Sequence, residues 1–194
     1  MEVSQDNIKI AQFVAKAIGF KPQVYPYWDN DKTLSIDILD VEDPINKLVK
    51  FYCTIGVSDS PNLINLKEEK QNIPVEILFS AYSKFKKAPN ILASSSFYLM
   101  KNRWYIQPGT VFKDIVNDYY PTSEMKHLLF TRPFLWYDKL SELQLETKKI
   151  NWLFMIPVSQ KELEYKLNKN TEKLENLLQE KEIDIFDLER RSVL

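Results

Sequence analysis

The sequence predicts an α+β fold: a single compact domain, residues 1–194, in which a mixed, mainly antiparallel sheet is packed with helices. Three observations carry this expectation. Apolar runs of strand length recur at 33–39, 49–57, 74–82, 125–133 and 149–158. Helical patterns fall at both ends of the chain and at 89–102, without the regular strand–helix alternation of a parallel α/β protein. The 194 residues are 44% hydrophobic and 13% aromatic, enough to bury a substantial core with no internal repeat or linker to divide it.

Each element has its own signal. Ser4 is placed to cap a first helix, in which Ile8, Ala11, Ala15 and Ile18 recur at helical spacing. Gly19 supplies a left-handed stop, and Pro22 prevents continuation. QVYPYWDNDK reads as an aromatic, turn-rich connector. TLSIDIL (33–39) alternates as a half-buried strand does, and VKFYCTIGV (49–57) is a denser and more central strand. DSPNLINLKEEKQN reads as loop, and PVEILFSAY (74–82) as a third strand. In the helix expected over 89–102, Pro89 fits the first turn, and Leu92, Ser95, Ser96 and Leu99 share one face. A Pro-Gly turn falls at 108 and 109. MKHLLFTRP stops before Pro133, and KINWLFMIPV is the most strand-like and most buried run. Ser159 and Glu162 have capping-box spacing, with Val158 and Leu163 at the hydrophobic-staple positions, so a helix starts at Gln160. A last helix follows Asn170-Thr171 with Leu174, Leu177 and Leu178 on one face, and Ile183, Ile185 and Leu188 then face the body.

Composition excludes several classes. Three glycines, at 19, 56 and 109, are too far apart to build a phosphate-cradling loop. With 26 basic and 27 acidic residues the net charge is −1, which argues against nucleic-acid binding. Lys84, Lys86, Lys87, Lys101 and Arg103 lie near Tyr82, Phe85 and Trp104, but no nucleic-acid motif accompanies them. One cysteine suits a reducing compartment, and neither a signal peptide nor a membrane span is visible, so a cytoplasmic protein is expected. One cysteine and one histidine do not make the usual zinc ligand set; neither metal nor cofactor is expected.

FYCTIGVSD (51–59) is the stretch that invites an enzymatic reading. A nucleophile elbow needs Gly-x-Ser-x-Gly, and here Gly56-Val57-Ser58-Asp59-Ser60 lacks the second glycine. His127, the only candidate base, lies inside an apolar strand-like run and reads as a structural histidine. Cys53 has no basic neighbours to lower its pKa and reads as a core residue. Ser58 is expected to bond the local backbone.

Two acidic segments remain. Asp29, Asp31, Asp37, Asp40, Glu42 and Asp43 share their segment with one base, Lys32, and their spacing is not that of a calcium loop. Sequence does not exclude a paired-carboxylate glycosidase here. Residues 172–189 hold seven acids, including Asp184, Asp187 and Glu189, and two lysines. Both segments suit a solvated face or a docking surface for a basic partner. Tyr25, Tyr27 and Trp28 adjoin the first, either as interface anchors or packed beneath the N-terminal helix.

Several blocks taken together resemble the suppressor-of-fused-like domain family. These are YCTIGVSD followed by PVEILFS, then PNILASSSFYL, QPGTVF, MKHLLFTRPFLW and INWLFMIPVSQKELEYK in the family's order. The ending EIDIFDLERRSVL is similar to that of a bacterial antitoxin subgroup. The resemblance implies a compact α+β domain without catalytic chemistry, and no catalytic residue is carried over. The family's animal member holds a transcription-factor peptide between such a domain and a second lobe, which this chain is too short to contain. Bacterial relatives are associated with polymorphic toxin systems, some as antitoxins for LXG-type toxins with nuclease ends. The expected function is therefore an antitoxin, or immunity protein, that binds a cognate toxin's nuclease domain. Asp29, Asp31, Asp37, Tyr27 and Trp28, or Asp184, Asp187 and Glu189, would make the contact. A peptide-binding scaffold is the alternative, and a Ser58/His127 hydrolase the third reading.

Overall fold

The computed structural model describes residues 4–19, 21–66, 69–102, 104–136 and 138–194. Arg103 lies outside them. The elements in chain order are α1 (Gln5–Ile18), β1 (Gln23–Trp28), β2 (Ser35–Glu42), β3 (Val49–Ile55), β4 (Leu63–Leu66), β5 (Glu69–Asn72), β6 (Val75–Tyr82), α2 (Ala88–Asn102), β7 (Val111–Phe112), β8 (Met125–Thr131), β9 (Leu143–Gln144), β10 (Lys149–Ser159), α3 (Gln160–Asn168) and α4 (Thr171–Glu180). An eight-stranded sheet runs β1-β2-β3-β6-β10-β8-β7, with β9 paired to β10 off this path. Among the described residues only β6 and β10 pair in parallel within it; α2 lies in the long connection between them, as a crossover requires. β4 and β5 pair antiparallel in a separate two-stranded sheet.

Alternation along the strands sends side chains to two cores. On one face Ile38, Tyr52, Ile77, Phe79, Phe130 and Met155 pack with Ile91, Leu92 and Leu99 of α2. On the other, Leu39, Phe51, Cys53, Leu78, Phe154 and Ile156 pack with Ile10 and Val14 of α1 and with Leu174 and Leu178 of α4. The face of α1 differs from the expected stripe. Ile10, Val14, Ala17 and Ile18 are its buried residues, because this set brings the bulkier side chains onto the sheet, while Ile8, Ala11 and Ala15 are half-buried. The expected caps are present: Ser4 accepts from Asn7 N–H, and Gly19 (φ 81°) donates its N–H to Ala15. Ser159 and Glu162 form the reciprocal capping box. In α2 the serine run is absorbed by back-bonding, Ser95 and Ser96 donating to the carbonyls of Ile91 and Leu92 at 2.9 Å.

Three expectations are corrected. Part of the QVYPYWDNDK connector is β1, an edge strand that sequence patterning hides because most of its residues are exposed. Asp29 N–H donates to Leu34 O, so by alternation the pairing 26↔37 is a non-hydrogen-bonded one, and Pro26 turns its donor-less nitrogen to the open edge. DSPNLINLKEEKQN contains β4 and β5 rather than only loop. Tyr27 packs with the α2-side core and not beneath α1, whereas Tyr25 and Trp28 are exposed.

Candidate functional site

FYCTIGVSD is built around a carboxylate far along the chain. β3 ends at Ile55, and Gly56 (φ 103°) turns it into a one-turn 3₁₀ segment, Val57–Asp59. The fully buried Glu76 of β6 accepts from the hydroxyls of Thr54 (2.5 Å) and Ser58 (2.7 Å), and from the N–H groups of Gly56 (2.9 Å), Val57 (3.3 Å) and Ser58 (3.1 Å). Burial pushes the Glu76 carboxyl pKa up, and the hydroxyls of Thr54 and Ser58 with the N–H groups of Ser58 and Gly56 pull against that rise. Ser58 therefore bonds a distant side chain, correcting the expected local backbone bond. The reason lies in the buried carboxylate, a stronger acceptor than a carbonyl.

The hydrolase geometry is not assembled. Ser58 is buried and donates to Glu76. His127 is buried between the N–H of Asp114, which donates to Nδ1 at 2.9 Å, and the Gln160 side chain, 2.9 Å from Nε2. Cys53 is fully buried, and burial followed by the charge of Glu76 raises its thiol pKa well above the ordinary value. Among the described residues no group of three or more His, Cys, Asp or Glu is placed to hold a metal ion. Among them, too, no helix is long and apolar enough to cross a membrane.

The C-terminal ending is held by a second buried carboxylate. Arg190 binds Glu162 through both terminal nitrogens, Nη1 to Oε1 at 2.7 Å and Nη2 to Oε2 at 2.8 Å. Glu162 also accepts from the N–H groups of Ser159 and Val193. Burial opposes its ionisation, but Arg190 and these N–H groups hold its pKa below the ordinary glutamate value. Leu188 is buried in the α2-side core, and its carbonyl accepts from Ser123 Oγ. The capping-box glutamate thus also anchors the chain end.

The Lys101-paired and Lys84-paired acidic candidates fall towards opposite ends of α2, a helix about 22 Å long by its rise. At its C-terminal end Lys101 Nζ bridges Asp29 (2.6 Å) and Asp31 (2.9 Å). Asp29 is buried and is held by the N–H groups of Leu34 and Thr33 and the Thr33 hydroxyl. Those bonds, with Lys101, keep its pKa well below the carboxylate range. Asp31 is exposed, and half-buried Asp37 sits opposite Pro26 and Ile55, where burial raises its pKa. Just before α2 begins, Lys84 pairs with Asp187 (3.4 Å) and Glu189 (3.7 Å). Asp184 accepts from Tyr82 Oη at 2.7 Å and from Phe186 N–H.

Between β1 and α2 lies a cleft of about 300 Å³ lined by Tyr27, Trp28, Asp29, Phe97, Tyr98 and Lys101 among others. It gathers three of the sequence candidates and adds Phe97 and Tyr98, which sequence reasoning passed over. Their only signal is one turn of α2 carrying two adjacent aromatics. A larger groove of about 790 Å³ lies at the start of β6 and β10, between Ile64 and Ile73 on one side and Arg132 and Leu140 on another.

Fold and site define a mixed-sheet α+β domain whose buried carboxylates Glu76 and Glu162 anchor a turn and the C-terminal segment, and whose exposed features include ion-paired ends and a cleft lined in part by aromatics. The family model for suppressor of fused protein (SUFU) matches residues 32–191, and the chain belongs to that family. It is 36% identical over all 194 residues, and over the full length of the relative, to Immunity protein YqcF of Bacillus subtilis (strain 168). A crystal structure of a suppressor of fused homologue from Neisseria gonorrhoeae FA 1090 is similar in fold, with a TM-score of 0.67 at 15% identity covering 97% of both chains. Drosophila Suppressor of Fused has a TM-score of 0.68 at 14% identity, covering 97% of this chain and 51% of that one.

Proposed function

We propose that this protein is an immunity protein that binds and neutralises a toxin protein, and that the toxin is of the LXG type with a nuclease domain. The observation that carries the reading is the 36% identity, end to end, with a bacterial immunity protein. The polar chemistry agrees with binding rather than catalysis: Ser58 and His127 are each committed to other partners. Inhibition proceeds by occlusion, with exposed carboxylates and aromatics taking the place of nucleic acid on the toxin's basic surface. Asp31, Tyr27 and Trp28 at one end of α2, and Asp184, Asp187 and Glu189 at the other, are the candidate contacts, with Asp29 positioning Lys101 and Asp37 supporting β1. In the scaffold alternative a sheet edge or groove takes a peptide; Pro26, which removes a donor from the open edge, disfavours only the version in which the peptide extends the sheet at β1.

The test is co-expression with the product of an LXG-type toxin gene found beside this one, in a sensitive bacterial host; finding no such gene favours the scaffold reading. Rescue of growth, and co-purification of the two chains with salt-sensitive association, are expected. Failure of the wild-type protein to rescue sinks the reading.

A further inference from the structure

We infer that the cleft between β1 and α2 is a receptor pocket for an arginine side chain of the toxin; the inference rests on the immunity reading for the identity of that partner. Five aromatics, Tyr27, Trp28, Phe97, Tyr98 and Tyr119, line a volume of about 300 Å³ together with polar side chains such as Asn30, Asn90 and Asn102. Trp28 is 49% and Tyr98 39% exposed, a large apolar area to leave in water. The wall is braced from behind. Tyr98 stacks on Trp104 (5.9 Å, 14°), Trp104 meets Phe112 edge-on at 5.2 Å, and Phe112 meets the buried Phe130 at 4.9 Å. Such a surface is pre-organised, so an incoming group loses little affinity to reordering it.

The rim states which charge the pocket accepts. Two carboxylates, Asp29 and Asp31, already hold a cation there, the ammonium of Lys101. Asp29 is fixed by three further hydrogen bonds, whereas the Asp31 side chain is 72% exposed and free to take a second partner. Lys101 offsets the buried Asp29, and the exposed Asp31 leaves the rim with a net negative charge, which argues against the phosphate of a nucleotide despite the stacking surface. A guanidinium satisfies both features at once: its flat face stacks on aromatic rings and its fork pairs with a carboxylate. Lysine does only the second well. A nuclease must present basic side chains to bind nucleic acid, so an arginine on that surface is available to the pocket.

Two measurements test this. In the first, the ¹⁵N-labelled protein is titrated with N-acetyl-arginine amide and with its citrulline analogue, which keeps the shape and loses the charge. Arginine amide should shift the Trp28 indole resonance in the millimolar range and the citrulline compound should not; equal shifts, or none, overturn the pocket. In the second, Trp28→Ala and Tyr98→Ala, each checked for wild-type unfolding, are assayed against the toxin encoded by the neighbouring gene. Each should bind about thirtyfold more weakly, with Trp28→Phe restoring much of the loss. Unchanged toxin affinity in both alanine variants, while the wild type still protects, overturns the arginine contact. If arginine amide binds but the wild type gives no protection, the pocket stands and the toxin assignment falls.

Discussion

The Ser58 hydroxyl lies 2.7 Å from Glu76 Oε1, so the serine that looks like a nucleophile is a donor to a buried carboxylate. Thr54, Gly56 and Ser58, the Thr-x-Gly-x-Ser pattern, each contribute a bond to that same carboxylate. The spacing follows from the turn: Gly56 at positive φ lets three successive N–H groups converge on one point. Ser58→Ala should cost about 1.5–3 kcal/mol in urea unfolding, the net worth of one hydrogen bond to a carboxylate. Protection against the toxin should persist wherever the variant is folded. Loss of protection by a fully folded Ser58→Ala protein would revive the hydrolase reading.

Glu76→Ala removes the shared acceptor and strands two hydroxyls and three N–H groups in the interior. A loss of ~3–5 kcal/mol is expected, because several buried donors lose their acceptor at about 1–3 kcal/mol each. Urea unfolding against the wild type measures it; a change below about 1 kcal/mol would mean the turn finds other acceptors.

The Glu162–Arg190 pair predicts an acid-dependent loss. Glu162 has its folded pKa lowered, so its contribution is complete above the unfolded glutamate value and disappears as pH falls through the folded value. The stability gap between wild type and Glu162→Gln should be widest near neutrality and should narrow below about pH 4. Arg190→Leu leaves Glu162 buried without its cation, and should cost ~3–5 kcal/mol at pH 7 and less in acid. A pH-independent gap contradicts the assignment.

Cys53 should resist a thiol reagent such as dithionitrobenzoate in the native protein and react at once in denaturant. The thiol is buried and its pKa is raised, so both access and thiolate are lacking. Rapid native labelling would show that this part of the sheet opens readily.

If the C-terminal carboxylates steer the toxin, Asp184→Lys, Asp187→Lys and Glu189→Lys together should slow association and flatten its salt dependence, with a smaller effect on dissociation. Stopped-flow association at two ionic strengths reads this directly. An unchanged rate assigns these residues to local structure, where Tyr82 and Lys84 already engage them.

Legibility along the chain followed the range of the forces involved. Helix ends were readable because a cap acts within four residues: Ser4, Gly19, Ser159 with Glu162, and Asn170 all perform as their spacing predicts. Strands β2, β3, β6, β8 and β10 were readable because burial leaves apolar or alternating runs. β1 was not, since an exposed edge strand needs no such pattern and Pro26 argues against one.

By itself, then, the sequence determined the α+β class, the helix boundaries, the central strands and the family resemblance, all of which rest on local pattern. Tertiary structure alone decided that Ser58 serves Glu76, 18 residues on, and that Arg190 serves Glu162, 28 residues back. It also decided that Asp31 meets Lys101 across 70 residues at the mouth of an aromatic cleft. A lone carboxylate or aromatic carries no mark of its partner. Which groups meet is set by strand order and helix placement, once the sheet has closed its two cores.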